Sequence, residues 1–132
     1  MPADGPDPRH LAAFAEVFRK AAEIPEEPVG SIEGHAEQGE LAIKVLMVTE
    51  DFVILSARRG AGLVDPIHQH DDHESVATLI SGRMRMTIGD ETFEVGPGDV
   101  WRHPRGVPHG SVALEPCVQI EIKSPPKRTW NL

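Results

Sequence analysis

Gly62-Leu63-Val64-Asp65-Pro66-Ile67-His68-Gln69-His70-Asp71-Asp72-His73-Glu74 is the stretch on which the reading of this chain turns. His68 and His70 stand two positions apart, and side chains two apart on a strand share one face. Two imidazoles side by side on a rigid strand are half of a metal site. A third, His109, follows the turn-rich segment Pro104-Arg105-Gly106-Val107-Pro108, which is suited to swing it back toward the first two. Divalent first-row metals accept imidazole and carboxylate ligands. An acid just downstream of His70 would complete a set of three histidines and one carboxylate, with positions left open for substrate, water or oxygen. Of the 7 histidines, only His10 and His35 lie outside positions 68–109.

The flanking sequence is strand-like. Leu41 to Val48, Phe52 to Ala57 and Val76 to Ile80 are apolar runs, and Cys117 to Ile122 alternates. Arg83-Met84-Arg85-Met86-Thr87-Ile88 alternates with period two. Its Met84, Met86 and Ile88 face is assigned to the interior and its Arg83 and Arg85 face to the outside. Gly89-Asp90 is a two-residue hairpin signal, Glu91 to Val95 the return strand, and Gly96-Pro97-Gly98-Asp99 a tight turn. Trp101 is expected in the core or the pocket wall. Short strands with glycine and proline turns at close intervals point to an all-β sandwich or barrel. Upstream, Leu11, Phe14, Ala15, Phe18 and Ala22 recur at helical spacing. With Asp7 as N-cap and Pro8 at the first turn, they predict one helix from His10 to Glu23, packed outside the barrel. The expected organisation is a tail and helix over 1–28, a barrel over 29–126 and a C-terminal tail over 127–132, with Met1 to Pro8 a loose segment.

Composition narrows the function classes. The chain has 132 residues, 39% of them hydrophobic, enough for one domain with one core. A formal net charge of −8 and the absence of a basic run argue against nucleic acid as a partner. The single cysteine, Cys117, makes no intrachain disulfide, and no apolar run approaches the length of a membrane span. The expectation is a soluble cytoplasmic protein with no membrane partner. A single N-terminal helix does not make a helix-turn-helix.

At this point the residues resemble a known family. Gly62-x5-His68-x-His70-x3-Glu74 is similar to the first motif of the cupins, and Gly98-x5-Pro104-x-Gly106-x2-His109 to their second. The likeness runs from about Leu41 to Ile122. It implies a double-stranded β-helix, the jelly-roll barrel of the cupins, here with one N-terminal helix. It also implies His68, His70, Glu74 and His109 as ligands of one divalent transition metal (Fe, Mn, Ni, Zn, Co or Cu). A pocket at the barrel mouth and, commonly, a homodimer are implied as well.

The acid position can be counted in two ways. Counted from His70, Glu74 matches the motif; counted back from Gly82, the matching residue is Ser75. One residue of slip turns a side chain to the other face of a strand. The fourth position therefore lies open among Glu74, His73 and water, with water following if Ser75 takes the place. Ala113 stands where the second motif often ends in asparagine. His10 and His35 read as surface histidines, His103 as simply packing in preference to donating a hydrogen bond in support of the site, and Asp71 and Asp72 as solvated loop acids. The functional expectation is a metal-dependent enzyme of a small oxygenated metabolite, of isomerase, lyase or decarboxylase type. The alternatives are an Fe(II) dioxygenase on the same ligands or a non-catalytic binding barrel.

Overall fold

The computed structural model describes residues 7–131. It is an antiparallel β structure of thirteen strands: β1 Glu27–Pro28, β2 Ser31–Ile32, β3 His35–Ala36, β4 Leu41–Val48, β5 Val53–Arg59, β6 Val64–His68, β7 Glu74–Ser81, β8 Met84–Ile88, β9 Glu91–Val95, β10 Val100–His103, β11 His109–Ala113, β12 Cys117–Ser124 and β13 Trp130–Asn131. A six-stranded sheet in the order β1-β4-β5-β12-β7-β10 faces a four-stranded sheet in the order β6-β11-β8-β9. Together they form the jelly-roll barrel. A small third sheet, β13-β2-β3, lies beside them.

The period-two reading of β8 holds. Met84 and Met86 are buried in the core, and Ile88 packs against it. Arg83 and Arg85 face outward and pair with Glu94 of β9. The β8–β9 hairpin turns at Gly89-Asp90, with Gly89 at positive φ.

β12 shows an inversion that alternation alone leaves ambiguous. Its inward face is Cys117, Gln119, Glu121 and Lys123, while Ile122 is exposed. Antiparallel pairing sets Gln119 opposite Leu79, Glu121 opposite Ala77 and Lys123 opposite Ser75. Along β12 itself the inward face thus runs from the apolar Cys117 to the charged Glu121 and Lys123.

The helix expected over His10 to Glu23 does not form. Among the described residues the one helical segment is a 3₁₀ turn at Ala21–Glu23. The backbone donors needed for a helix are used by the barrel instead: the Leu11 N–H donates to Pro126 O at 3.1 Å, and the Phe14 N–H to Val48 O at 3.0 Å. Asp7 exercises its capping chemistry in a local turn, accepting the Arg9 N–H on Oδ1 at 2.9 Å. Leu11 packs against the core, whereas Val17 and Phe18 are left exposed. Tertiary hydrogen bonds override a helical periodicity that only half of the stripe can satisfy.

Residues 7–11 run beside the C-terminal segment. His10 bridges Lys127, and the Arg128 N–H donates to Arg9 O at 2.7 Å. Residues 127–131, expected as a tail, are therefore tied down, and Trp130 is one of the most buried side chains. Of the expected loose N-terminal segment, residues 1–6 lie outside the described residues. Between β2 and β3 the chain turns at Glu33-Gly34, with φ of 49° and 79°. A two-residue hairpin with both central residues left-handed normally carries Asn-Gly or Asp-Gly. Glutamate at the first position costs on the order of 1–3 kcal/mol of backbone strain.

Candidate metal centre

β6 and β11 pair so that His109 lies directly opposite His68. Gly110 makes this approach possible. A Cβ there would lie 2.9 Å from Asp65 O and 2.9 Å from Ile67 Cδ1, and the register shifts at this point. His70 lies just past the end of β6 but keeps its ring toward the same interior. The turn before β11 is fastened to it: the Gly106 N–H donates to His70 O at 2.7 Å, with Gly106 at positive φ. The glycine–proline turn therefore carries His109 back as its sequence suggests.

One ligating atom from each of His68, His70 and His109 lies within 4.8 Å of the others, and all three residues are buried. The ring centroids are 4.5 Å apart for His68–His109 and 5.0 Å for both His68–His70 and His70–His109. Backbone carbonyls set two of the tautomers. His68 Nδ1 lies 2.7 Å from Pro66 O, and His109 Nδ1 3.2 Å from Val107 O. A carbonyl only accepts, so each Nδ1 carries the hydrogen and each Nε2 lone pair is free. That is the arrangement a metal-ligating histidine needs, and the donor set fits a divalent first-row ion.

Burial, before any other cause, holds His70, His73 and His109 neutral. It pushes the His109 pKa down to about 3, with His103 and His68 adding to the effect. It drives His70 far below its ordinary value, helped by the positive charge of Lys123. His73 falls to about 4 by burial and Lys123, with Asp72 opposing. An unfolded chain takes up these protons near pH 6.5, and the native protein does not. Stability is therefore complete above about pH 6.5 and declines as pH falls through the window down to about 3–4. Urea melts of metal-free protein at pH 7 and pH 5 should show the lower midpoint at pH 5, and triple replacement of His70, His73 and His109 should flatten the difference.

The acid expected at Glu74 does not join the triad. Glu74 begins β7 on its exposed face, and the next inward residue is Ser75. The count back from Gly82 describes the strand correctly, because β7 begins at Glu74 itself with no bulge before Ser75 to turn the carboxylate inward. His73 is fully buried, with its Nδ1 2.8 Å from Asp72 Oδ1 and its Nε2 without a partner. Its ring lies 4.3 Å from His70, beside the triad and not within it. Asp72 is therefore a partner of a buried histidine and not merely a solvated acid.

His103 packs as expected, stacked on His109 at 4.0 Å and 13°. It is also hydrogen-bonded at both nitrogens. Trp101 Nε1–H donates to His103 Nε2 at 3.2 Å, so Nδ1 bears the hydrogen and faces Ser75 Oγ at 2.9 Å. No lone pair remains on His103 for a metal. His35, read as a surface histidine, stands with its ring 6.3 Å from His68.

Sequence reasoning did not single out the charged groups around the triad. Glu121 is buried beside His103, and Lys123 donates from Nζ to Thr129 Oγ1 at 2.7 Å. Burial alone would raise the Glu121 pKa, but the Lys123 charge and the His103 and Ser75 hydrogen bonds outweigh it and hold the carboxyl well below its usual range. Asp65 sits 3.6 Å from His68 Nδ1 and 4.0 Å from the buried Arg59. The Glu37 carboxyl is pushed up to about 9, first by burial and then by the charge of Asp65. The inward-facing polar residues of β12 are the signal that would have revealed the charged end of the barrel.

Comparison with known proteins agrees with this architecture. Residues 59–122 match the family model described as Cupin domain, and the fold is that of the cupin barrel. Over 81 residues it is 36% identical to oxalate decarboxylase OxdC of Bacillus subtilis (strain 168), covering 58% of this chain. That match spans only 21% of the decarboxylase. Over 83 residues it is 26% identical to the pectin degradation protein KdgF of Dickeya dadantii (strain 3937), covering 62% of this chain and 76% of that one. The structure of KdgF from Halomonas sp. superposes with a TM-score of 0.62 at 29% identity, covering 64% of this chain and 78% of that one.

Proposed function

We propose that the protein is a metal-dependent cupin enzyme acting on a small oxygenated metabolite. His68, His70 and His109 would hold one divalent transition metal, of the group Fe, Mn, Ni, Zn, Co and Cu. The observation that carries this reading is the convergence of three buried imidazoles, two with Nδ1 facing a carbonyl and Nε2 free. Such an ion polarises a substrate oxygen and stabilises negative charge as it develops, which suits isomerase, lyase or decarboxylase chemistry.

The protein supplies the surroundings. Burial keeps His70 and His109 unprotonated, the His103 stack fixes the plane of His109, and Gly106 ties the second-motif turn to His70. Lys123 and Glu121 place one fixed charge of each sign inside the wall next to the histidines. The resemblance to an oxalate decarboxylase and a pectin degradation protein supports small, oxygen-rich substrates as the class to test.

The partner surface is part of the proposal. On the six-stranded sheet, Val76 pairs with Ile122, and both are exposed, as are Ile80 further along β7 and Val100 on the adjacent β10. An apolar outer face of this kind suits a homodimer. Among the described residues no helix is long and apolar enough to cross a membrane. A cytoplasmic location remains part of the same reading.

The test is turnover of a panel of small hydroxy, keto and unsaturated acids by protein loaded separately with Fe, Mn, Ni, Zn, Co or Cu, with and without oxygen. Oxygen-independent turnover supports the proposal. Turnover only with iron and oxygen would replace it with the dioxygenase reading, and metal uptake without turnover would replace it with a binding barrel.

A further inference from the structure

The triad lacks a carboxylate from β7, yet a carboxylate reaches it from another part of the chain. Glu33, at the tip of the β2–β3 hairpin, places Oε1 3.6 Å from His70 Nδ1. That nitrogen is buried and has no hydrogen-bond partner, unlike Nδ1 of His68 and of His109. Among the described residues Glu33 is also the one non-glycine residue at positive φ. A strained backbone at a tight turn persists where the surroundings hold it in place, and two contacts do so here. The Glu33 N–H donates to Thr129 O at 2.8 Å, and Arg9 grips the Glu33 carboxylate. Arg9 also reaches Asp72 Oδ2 at 3.2 Å, and Asp72 holds His73. One guanidinium from the N-terminal segment thus ties down the acids behind two neighbouring histidines. Both Glu33 and Arg9 lie outside the residues that match the family model.

We propose that Glu33, clamped by Arg9, is the positioning residue of His70: from 3.6 Å its carboxylate attracts the Nδ1–H electrostatically and so leaves Nε2 as the free lone pair for the metal. A carboxylate behind a ligating imidazole fixes its tautomer and orientation and raises its basicity. The N-terminal hairpin would then complete in this chain what Glu74 does not reach. The inference rests on the metal reading of the triad for its consequence, but not for the approach of Glu33 to His70.

The experiment uses full-length protein stripped of metal, titrated with Co²⁺ in competition with a chromogenic chelator. Glu33→Gly should weaken Co²⁺ binding by about 10–100-fold. Its metal-free melting temperature should not fall, because glycine adopts positive φ freely. Glu33→Gln keeps an acceptor oxygen and should lose less, and Glu74→Gln should bind as the parent does. Nitrogen-15 spectra of the metal-free protein should show His70 protonated at Nδ1, and a mixture of tautomers in Glu33→Gly. Unchanged Co²⁺ affinity with an unchanged His70 tautomer overturns the proposal. So does a loss of affinity matched by a loss of metal-free stability with the tautomer intact, which would make Glu33 a structural residue only. If the parent takes up no Co²⁺ while the tautomer still responds to Glu33→Gly, the metal reading fails and the positioning role stands.

Discussion

His109→Ala should abolish metal binding and leave the barrel folded. The ring contributes one of three ligands, and its removal leaves two imidazoles with no carboxylate of β7 to replace it. Loss of a group that only supports a ligand typically costs about 10–100-fold in affinity, so loss of the ligand itself should exceed that range. Folding should survive because β11 is held by backbone pairing to both β6 and β8, which alanine retains. The change removes the stack on His103, yet the contacts of His103 to Trp101 and Ser75 remain. His68→Ala should behave in the same way. Metal content after dialysis, measured beside the circular dichroism spectrum, checks both. Stoichiometric metal in either variant would count against the ligand assignment.

Lys123→Met should give the largest loss of stability of any single change near the site. Lys123 and Glu121 lie on the inward face of β12 with side chains 5% and 10% exposed, and Nζ stands 4.0 Å from Oε2. Removing one partner strands the other charge in the interior, which costs about 3–5 kcal/mol. For a chain of this size that is a fall in melting temperature of roughly 10–20 °C. The double change Lys123→Met with Glu121→Leu should recover much of it, because no buried charge is then left alone. Metal affinity should move the other way in the single variant. The Lys123 charge disfavours positive charge at His70 and His73, so its loss favours a bound cation. Thermal melts of metal-free protein and competitive metal titration separate the two effects. A Lys123→Met protein as stable as the parent would show that the pair is solvated and not buried.

The barrel is legible in the sequence because its determinants are local. Period-two alternation places Met84 and Met86 inside, and Gly89-Asp90 turns the hairpin. The triad is legible for a related reason: two histidines two apart share a face, and a turn of proline and glycine returns the third. The acid is not legible, because one residue of register separates Glu74 from Ser75, and only the hydrogen-bonded start of β7 decides between them. Glu33, Glu121 and Lys123 escape notice because they reach the site from strands and turns distant in sequence. The helical stripe from Leu11 to Ala22 misleads because periodicity registers an apolar face but not the barrel carbonyls that capture the Leu11 and Phe14 donors.

Elemental analysis of protein purified without added metal, then after loading and gel filtration, weighs the whole reading in one step. About one transition-metal ion per chain is expected, falling to none in the His68→Ala and His109→Ala proteins. A folded parent protein that retains no metal at any loading concentration would contradict it.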